Sequence, residues 1–270
     1  VAFFVCFLAA LILSAVFADY LAPADPYRQS LRGRLDPPVW LGGTTGALLG
    51  TDQLGRDILS RILFGSRVSL LVGFTAVIIG GLLGSLLGLV AGYAGRVADE
   101  IIMTVADIQL AFPLVLLAIA IVAVLGPSLQ NLILVVGISG WVTYARIARA
   151  QVLSLKQKEF IEAVRALGGS DLRILFRHLL PNTLSPLIVV ATLDLARTVV
   201  LESTLSFLGL GVQPPTPSWG QMIGEGREYL IIGRWWVSVF PGIVLMLTTM
   251  AVNRIGDWVR DVLDPTLRNV

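Results

Sequence analysis

Runs of apolar residues without charge alternate along this chain with polar or helix-breaking segments. A membrane-spanning helix needs roughly 20 such residues, because lipid leaves its backbone groups no partners outside the segment. The runs predict spans at residues 1–18, 68–93, 101–125, 129–148, 183–207 and 235–255. The pattern therefore predicts an all-α, polytopic membrane protein with six transmembrane helices.

Two of these spans come from one long uncharged stretch, Ile108 to Ala145. Gly126, Pro127 and Ser128 interrupt it, and this tripeptide favours a turn over a continuous helix. We expect a helical hairpin there. At the last span, Trp235 and Trp236 stand where aromatic side chains suit a membrane interface.

Residues 1–18 have a second interpretation, a secretory signal peptide, because small residues from Ala15 to Ala18 precede a polar segment. No basic residues come before this run, and it is long for the apolar part of a signal. An uncleaved first span is favoured. The absence of an initiator methionine leads us to expect a natural N-terminal stretch before Val1.

Composition supports a lipid environment, since 56% of the residues are hydrophobic and 14% are charged, against about 25% charged in soluble domains. A formal net charge of +2 indicates no nucleic-acid partner. Cys6 is the only cysteine, which excludes an internal disulfide.

The distribution of positive charge predicts orientation. Residues 146–181 contain seven Lys and Arg, including both lysines of the protein, which places this segment in the cytoplasm. Both termini are then cytoplasmic and residues 19–67 form an outer loop. That loop carries six arginines and five aspartates, but loops of this length translocate with less regard to charge.

Gly80, Gly84, Gly88 and Gly92 recur every four residues in the second span. A helix face made of glycine lets a neighbouring backbone approach closely, so we expect a tight helix contact. A second interpretation is a face that slides or hinges during transport.

The cytoplasmic segment predicts two short helices. Phe160, Val164 and Leu167 share an apolar face of the first, while Glu159, Glu162 and Arg165 occupy a polar one. Gly168 or Gly169 supplies its C-terminal stop, Ser170 can cap the next helix, and Pro181 is expected to end that helix where the fifth span begins. Such an amphipathic helix suits a groove in a soluble partner.

Here the chain resembles the permeases of ABC importers, through Glu162-Ala163, Gly168 and Leu180-Pro181 at the family's spacing. It departs from the family pattern at Val164 and His178, which stand where the family has Ala and Ile. The resemblance implies that this segment couples the permease to an ATPase. The residues assigned to coupling are Glu159, Glu162, Ala163, Val164, Ala166, Leu167 and Gly168. The alternative is an interfacial helix without docking duty.

Residues 49–70, 206–220 and 256–265 resemble the dipeptide, oligopeptide and nickel branch of that family. This implies a type I ABC importer permease fold of five core helices at 68–257, with a coupling segment at 149–182. An N-terminal span, the outer loop and a cytoplasmic tail at 258–270 complete the predicted organisation.

The resemblance also implies the assembly and its place, the bacterial plasma (inner) membrane. The expected partners are the lipid bilayer, a second homologous permease subunit, two ABC ATPase subunits that bind ATP and Mg, and an extracytoplasmic substrate-binding protein. Transport would proceed by alternating access. Di- or oligopeptides are the expected substrates, with glutathione-type compounds or nickel complexes as alternatives.

The outer segment 52–64 has apolar residues on one helical face, and Asp57 and Arg61 stand at i, i+4. It predicts an interfacial helix lying flat on the outer surface. Asp52, Arg56, Asp57 and Arg61 are candidates for docking the binding protein, unless the helix is purely structural. The proline-rich loop 214–217 either caps the outer mouth or acts as a rigid connector.

Four ionisable residues fall within the spans and are candidates for a pathway or gate: Asp107, Asp194, Arg197 and Glu202. Asp194 and Arg197 stand at i, i+3 and can neutralise one another, whereas Glu202 needs another partner. Structural pairing within or between subunits is the alternative interpretation.

The chain contains no Gly-x-x-x-x-Gly-Lys-Ser/Thr phosphate loop and no nucleophile or zinc-protease motif. We therefore expect no catalytic residue, no metal site at His178 and no cofactor in this chain. Two other classes remain: an ion-coupled secondary transporter that uses Asp107, Asp194 and Glu202, and a membrane scaffold without transport activity.

Overall fold

The structure is a computed structural model that describes residues 1–263, and in these residues the regular structure is helical. The helices are α1 (Ala2–Val16), α2 (Ala18–Leu21), α3 (Ile58–Ala94), α4 (Arg96–Ala111), α5 (Leu114–Leu125), α6 (Leu129–Leu155), α7 (Glu159–Ala166), α8 (Asp171–Arg173), α9 (Leu180–Phe207), α10 (Trp219–Leu230) and α11 (Trp236–Leu263). A π-helical turn at Ile174–Leu179 joins α8 to α9.

Four helical segments are long and apolar enough to cross a membrane, namely α3, α6, the continuous stretch Asp171–Phe207, and α11. The pair α4 and α5 would supply a fifth crossing. With 15 residues, α1 is shorter than these, so the predicted first span stays a prediction. In the predicted tail 258–270, residues 258–263 extend α11. The rest of the tail lies outside the described residues. It includes Asp264 and Pro265, which belong to the segment 256–265 that resembles the family branch.

The predicted span at 101–125 is not one continuous helix, because two helices meet there at 89°. α4 ends at Ala111, and α5 begins after Pro113. Proline has no N–H to donate and disfavours helical geometry at the preceding residue, here Phe112, which is extended with ψ 130°. The break therefore follows from Pro113.

The predicted interfacial helix at 52–64 is also wrong. Residues before Asp57 form a loop, and α3 begins at Ile58, where the Asp57 carboxylate caps it by accepting a 2.7 Å hydrogen bond from the Ser60 N–H. From there α3 continues for 37 residues, roughly 55 Å at 1.5 Å per residue. The outer segment and the second span thus belong to one helix.

The glycines of α3 pack directly on the backbone of α6, which confirms the predicted close contact. A Cβ atom added at Gly84 would lie 2.1 Å from the Trp141 carbonyl oxygen, and one at Gly88 would lie 2.3 Å from the Ala145 carbonyl oxygen. Neither site has room for any side chain. α3 and α6 therefore form one tightly packed pair.

The remaining helices pack around this pair. One apolar cluster joins α3, α5, α6 and α9 through residues such as Val72, Val122 and Leu205. A second cluster joins α1 to α3, α9 and α11 through Leu11, Leu70 and Val252. α1 is therefore part of the helical bundle.

Candidate coupling and pathway sites

The amphipathic helix α7 projects from the end of α6 and is anchored by one buried residue. Ile161 is fully buried against Ile174 and Leu179 of the π-helical turn, and the same cluster includes Leu89 of α3 and Val152 of α6. The apolar face predicted for α7 is therefore partly wrong. The fully buried residue of α7 is Ile161, which the predicted apolar face did not include.

The other face of α7 is open. Leu167 is 89% exposed and Phe160 is 42% exposed. Of the residues assigned to coupling, Val164 is half-buried and the others are exposed: Glu159, Glu162, Ala163, Ala166, Leu167 and Gly168. The structure thus brings these residues together on one projecting, mixed apolar and acidic surface.

Gly168 ends α7 as predicted. Its φ of +79° lies in the left-handed region, and the N–H of Gly169 donates to the Val164 carbonyl at 2.9 Å. Ser170 takes the N-cap position of α8, but its side chain makes no capping hydrogen bond in the described structure, so that prediction is wrong.

Pro181 does not end the helix, contrary to the prediction, because the chain stays helical from Asp171 to Phe207. In a regular α-helix its ring would press on the Arg177 carbonyl. The π-helical turn just before it, in which the Leu180 N–H donates to the Leu175 carbonyl, provides the wider local geometry.

Two side-chain contacts attach the segments on either side of α7 to the C-terminal end of α3. The Tyr93 hydroxyl donates to the Asp171 carboxylate, and the Lys156 ammonium donates to the Gly92 carbonyl at 3.1 Å. The α7 region is therefore in contact with α3 as well as with α6 and α9.

At the outer end of α3, a buried ionic cluster replaces the predicted Asp57–Arg61 pair. Arg61 bonds to Asp52, and Arg56 bonds to Asp52 at 2.7 Å. Both arginines also lie 3.2 Å from Glu225 of α10. Asp52, Arg56, Asp57 and Arg61 are all buried, with Arg61 only 1% exposed, so these four side chains hold the outer segment from within.

Glu225 was missed by the sequence interpretation. It also accepts hydrogen bonds from the Gln53 and Gln221 amides, at 2.8 and 2.9 Å. No local signal could have found it, because Glu225 lies 169 and 164 residues from Arg56 and Arg61 along the chain.

Asp194 and Arg197 line a cavity of about 310 Å³ between α9, α6 and the α4–α5 break. The predicted Asp194–Arg197 pair does not form. Asp194 instead accepts a 3.0 Å hydrogen bond from the Tyr144 hydroxyl. Among the described residues, no carboxylate oxygen lies within 4.0 Å of the Arg197 guanidinium.

The other two candidates lie apart from this cavity. Asp107 pairs with Arg146 at 2.6 Å on an exposed surface. Glu202 is fully buried and accepts hydrogen bonds from the hydroxyls of Ser206, at 2.7 Å, and Ser203, at 3.2 Å. Its partners are thus hydroxyl groups. Within residues 1–263, no cluster of His, Cys, Asp and Glu is arranged to hold a metal ion.

An apolar helical bundle with an amphipathic helix on one side and a polar cavity at a helix break suits a membrane transport subunit. The chain belongs to the family described as binding-protein-dependent transport system inner membrane component, whose model matches residues 84–269. Within it, the chain is a permease of the dipeptide, oligopeptide and nickel branch of ABC importers.

Relatives of this branch match almost the whole chain. The di/tripeptide transport system permease protein DppC of Pseudomonas aeruginosa is 46% identical over 264 residues, which are 97% of this chain and 87% of that protein. The glutathione transport system permease protein GsiD of Pectobacterium atrosepticum is 42% identical over 263 residues, 97% and 86% of the two chains.

Solved structures give the fold. A chain of the MetNI methionine ABC transporter in an inward-facing conformation aligns with a TM-score of 0.62 at 20% identity, over 77% of this chain and 98% of that chain. A chain of an amino acid ABC transporter aligns at 0.55 and 15% identity, over 76% and 94%. The fold is that of a type I ABC importer permease.

Proposed function

We propose that this chain forms one half of the membrane pathway of an ATP-driven importer of di- or oligopeptides. The observation that carries the proposal is the 46% identity to a di/tripeptide permease along 97% of the chain. Identity of this extent covers the cavity, the coupling segment and the outer segment together. Glutathione is the second candidate substrate, because a glutathione permease is nearly as similar.

The proposed topology has six spans with both termini in the cytoplasm. α1 would be the first span, supported by its packing on α3 and α11, and the α4–α5 pair would be the third. The units are residues 1–18, 19–67, 68–257 and 258–270, with the coupling segment at 149–182. The seven basic residues of segment 146–181 support its cytoplasmic placement.

In this arrangement α7 is the coupling helix. Its anchor at Ile161 and its exposed residues, Leu167 among them, suit a helix that is held by the permease on one face and by an ATPase on the other. The ATP and Mg would be bound by two partner ATPases. A second, homologous permease would complete the pathway.

The outer segment 52–64 and α10 would receive the loaded binding protein. The buried cluster of Asp52, Arg56, Arg61 and Glu225 supports this proposal by fixing the segment to α10. Alternating access follows if ATP binding closes the ATPases, moves α7 and opens the outer side toward the binding protein.

The test measures transport by the assembled complex in reconstituted vesicles. The ATPases lie on the outer, accessible side of the vesicle and the binding protein lies in the lumen, so import corresponds to movement out of the lumen. Dipeptides should leave the lumen with added ATP and stay without it. Movement that follows an ion gradient without ATP would overturn the proposal in favour of a secondary transporter. Transport of glutathione with no transport of peptides would favour the second candidate.

A further inference from the structure

We infer that the cavity at the α4–α5 break binds both charged ends of a transported peptide, with Asp194 facing the ammonium group and Arg197 facing the carboxylate. The inference rests on the proposed function and adds which groups of the substrate this chain recognises. Both side chains line the same cavity, and both come from α9.

Asp194 and Arg197 are the charged residues of the cavity lining, and the polar Gln109 beside them is already occupied. The Gln109 amide donates to the Ser139 carbonyl at 2.9 Å and accepts from the Trp141 indole at 2.7 Å. Asp194 has spare capacity, because an ionised carboxylate has about four acceptor positions and the described structure fills one, from Tyr144.

Arg197 is the stronger indicator of a ligand. An arginine within the membrane needs a charged partner or water, and Arg197 is exposed toward the cavity with no described carboxylate partner. Its planar, forked guanidinium matches a carboxylate with two parallel hydrogen bonds. The exposed guanidinium is therefore open to the carboxylate of a bound molecule.

The helix break adds a second preference for a carboxylate at the same place. Phe112, Pro113 and Leu114 line the cavity, and Leu114 is the first residue of α5. Within the described residues, no side chain caps this helix start, so its first amide groups are available to a ligand. Interrupted membrane helices bind substrate carboxylates by this means in other transporters.

The dimensions suit a short peptide. Residues at i and i+3 are separated by about 4.5 Å along a helix, and the two ends of a dipeptide are separated by about 7 Å. The reach of the Asp194 and Arg197 side chains covers the difference. A volume of about 310 Å³ is small for a ligand pocket and leaves room for a dipeptide.

The experiment compares three forms of one dipeptide, free, C-terminally amidated and N-terminally acetylated, chosen so that the binding protein holds each form. Each is supplied as a saturating preformed complex to the reconstituted importer. Because the binding protein is the same in every assay, a change in the ratio of transport rates between permease variants comes from this chain.

In the wild type we expect the free peptide to be transported faster than either blocked form. Arg197→Gln should slow the free peptide roughly tenfold and abolish its advantage over the amide. Asp194→Asn should abolish its advantage over the acetylated form. The control Arg254→Gln removes an exposed arginine of α11 that does not line the cavity, and should leave all ratios unchanged.

Equal transport of all three forms by the wild type would overturn the inference. So would a uniform slowing of all forms by Arg197→Gln, which would indicate a structural pair with the neighbouring permease. If Arg197→Gln does not assemble, Arg197→Lys is the second variant, because it keeps the positive charge but loses the forked guanidinium. It should reduce the advantage of the free peptide over the amidated peptide without abolishing it. ATP-dependent transport of no peptide at all would contradict the proposed function instead.

Discussion

At the scale of single residues, the buried cluster at the outer end of α3 predicts how a neutral substitution will act. Glu225→Gln leaves two buried arginines facing Asp52 alone, and breaking a buried ion pair in this way is strongly destabilising. Since Glu225 is 22% exposed, we expect a loss of about 2 to 4 kcal/mol. Thermal unfolding of the purified complex measures it.

The matched control is Glu228→Gln, one turn further along α10. Glu228 is exposed and makes no ion pair in the described part of the chain, so its loss should leave the unfolding temperature nearly unchanged. Equal unfolding temperatures for both variants would show that the outer cluster does not stabilise the protein.

The sequence predicted the hydrogen-bond and ion-pair partners of single charged residues least well. Asp57 and Arg61 stand at helical spacing, yet Asp57 lies before the helix starts and acts as its cap. Asp194 also has a neighbour at i+3, but the hydroxyl of Tyr144, 50 residues away, takes that place. Local spacing shows which groups can meet, whereas burial and distant side chains decide which of them do.

At the scale of helices, the contact of α3 with α6 predicts a sharp difference between two neighbouring glycines. Gly84→Ala places a methyl group 2.1 Å from the Trp141 carbonyl oxygen, so the two backbones must separate. We expect a loss of about 1 to 3 kcal/mol, as for other overpacked sites. Gly81→Ala places its methyl 3.5 Å from the nearest side-chain atom, in Tyr144, and should be tolerated.

Thermal stability and yield of the purified complex measure both glycine variants. Equal behaviour of Gly84→Ala and Gly81→Ala would contradict the close contact between α3 and α6, and would favour a loose face that slides during transport. The substitutions add the same methyl group to the same helix, so helix propensity cancels from the comparison.

Most helices could be predicted from the sequence, because uncharged runs of this length have few other structures available in lipid. The errors in predicting helix ends fall where a residue that breaks or caps a helix lies within or beside an uncharged apolar run. Pro113 breaks a helix inside an uncharged stretch, and Asp57 starts a helix earlier than the apolar run suggests. At Pro181 the error is the opposite one: the predicted helix end is absent, because a π-helical turn accommodates the proline.

At the scale of the whole molecule, the exposed face of α7 predicts a defect in assembly. Leu167→Asp places a charge at the centre of the proposed ATPase contact, and we expect it to weaken the binding of the ATPase subunits about tenfold or more. Co-purification with the permease measures this. Ile231→Asp, at a residue 90% exposed beyond α10, is the matched control and should retain the subunits.

Retention of the ATPases by Leu167→Asp would contradict the role proposed for α7. The family pattern around Glu162 and Gly168 predicts the position of such a helix in the sequence. It does not predict which face the permease buries, because that depends on Ile174 and Leu179 of a later turn.

In the proposed topology, α3 connects the cytoplasmic side to the outer side. Tyr93 at its inner end bonds to Asp171 beside α7, its glycines fix it to α6, and Arg61 at its other end joins the buried outer cluster. A movement of α7 should therefore displace the outer segment through one helix, and weakening the Tyr93 contact should reduce that transmission while leaving the fold intact.

Tyr93→Phe removes only the hydroxyl that donates to Asp171, a hydrogen bond to a charged group. We expect about fivefold less peptide transported per ATP hydrolysed, with ATPase subunits still bound, because the α7 region would then be joined to α3 by packing and by the Lys156–Gly92 contact alone. Simultaneous measurement of uptake and phosphate release by the reconstituted complex gives this ratio. Tyr20→Phe, at an exposed tyrosine outside the contact, is the control. An unchanged ratio in Tyr93→Phe would mean that the Tyr93–Asp171 hydrogen bond does not transmit the motion of α7 to α3.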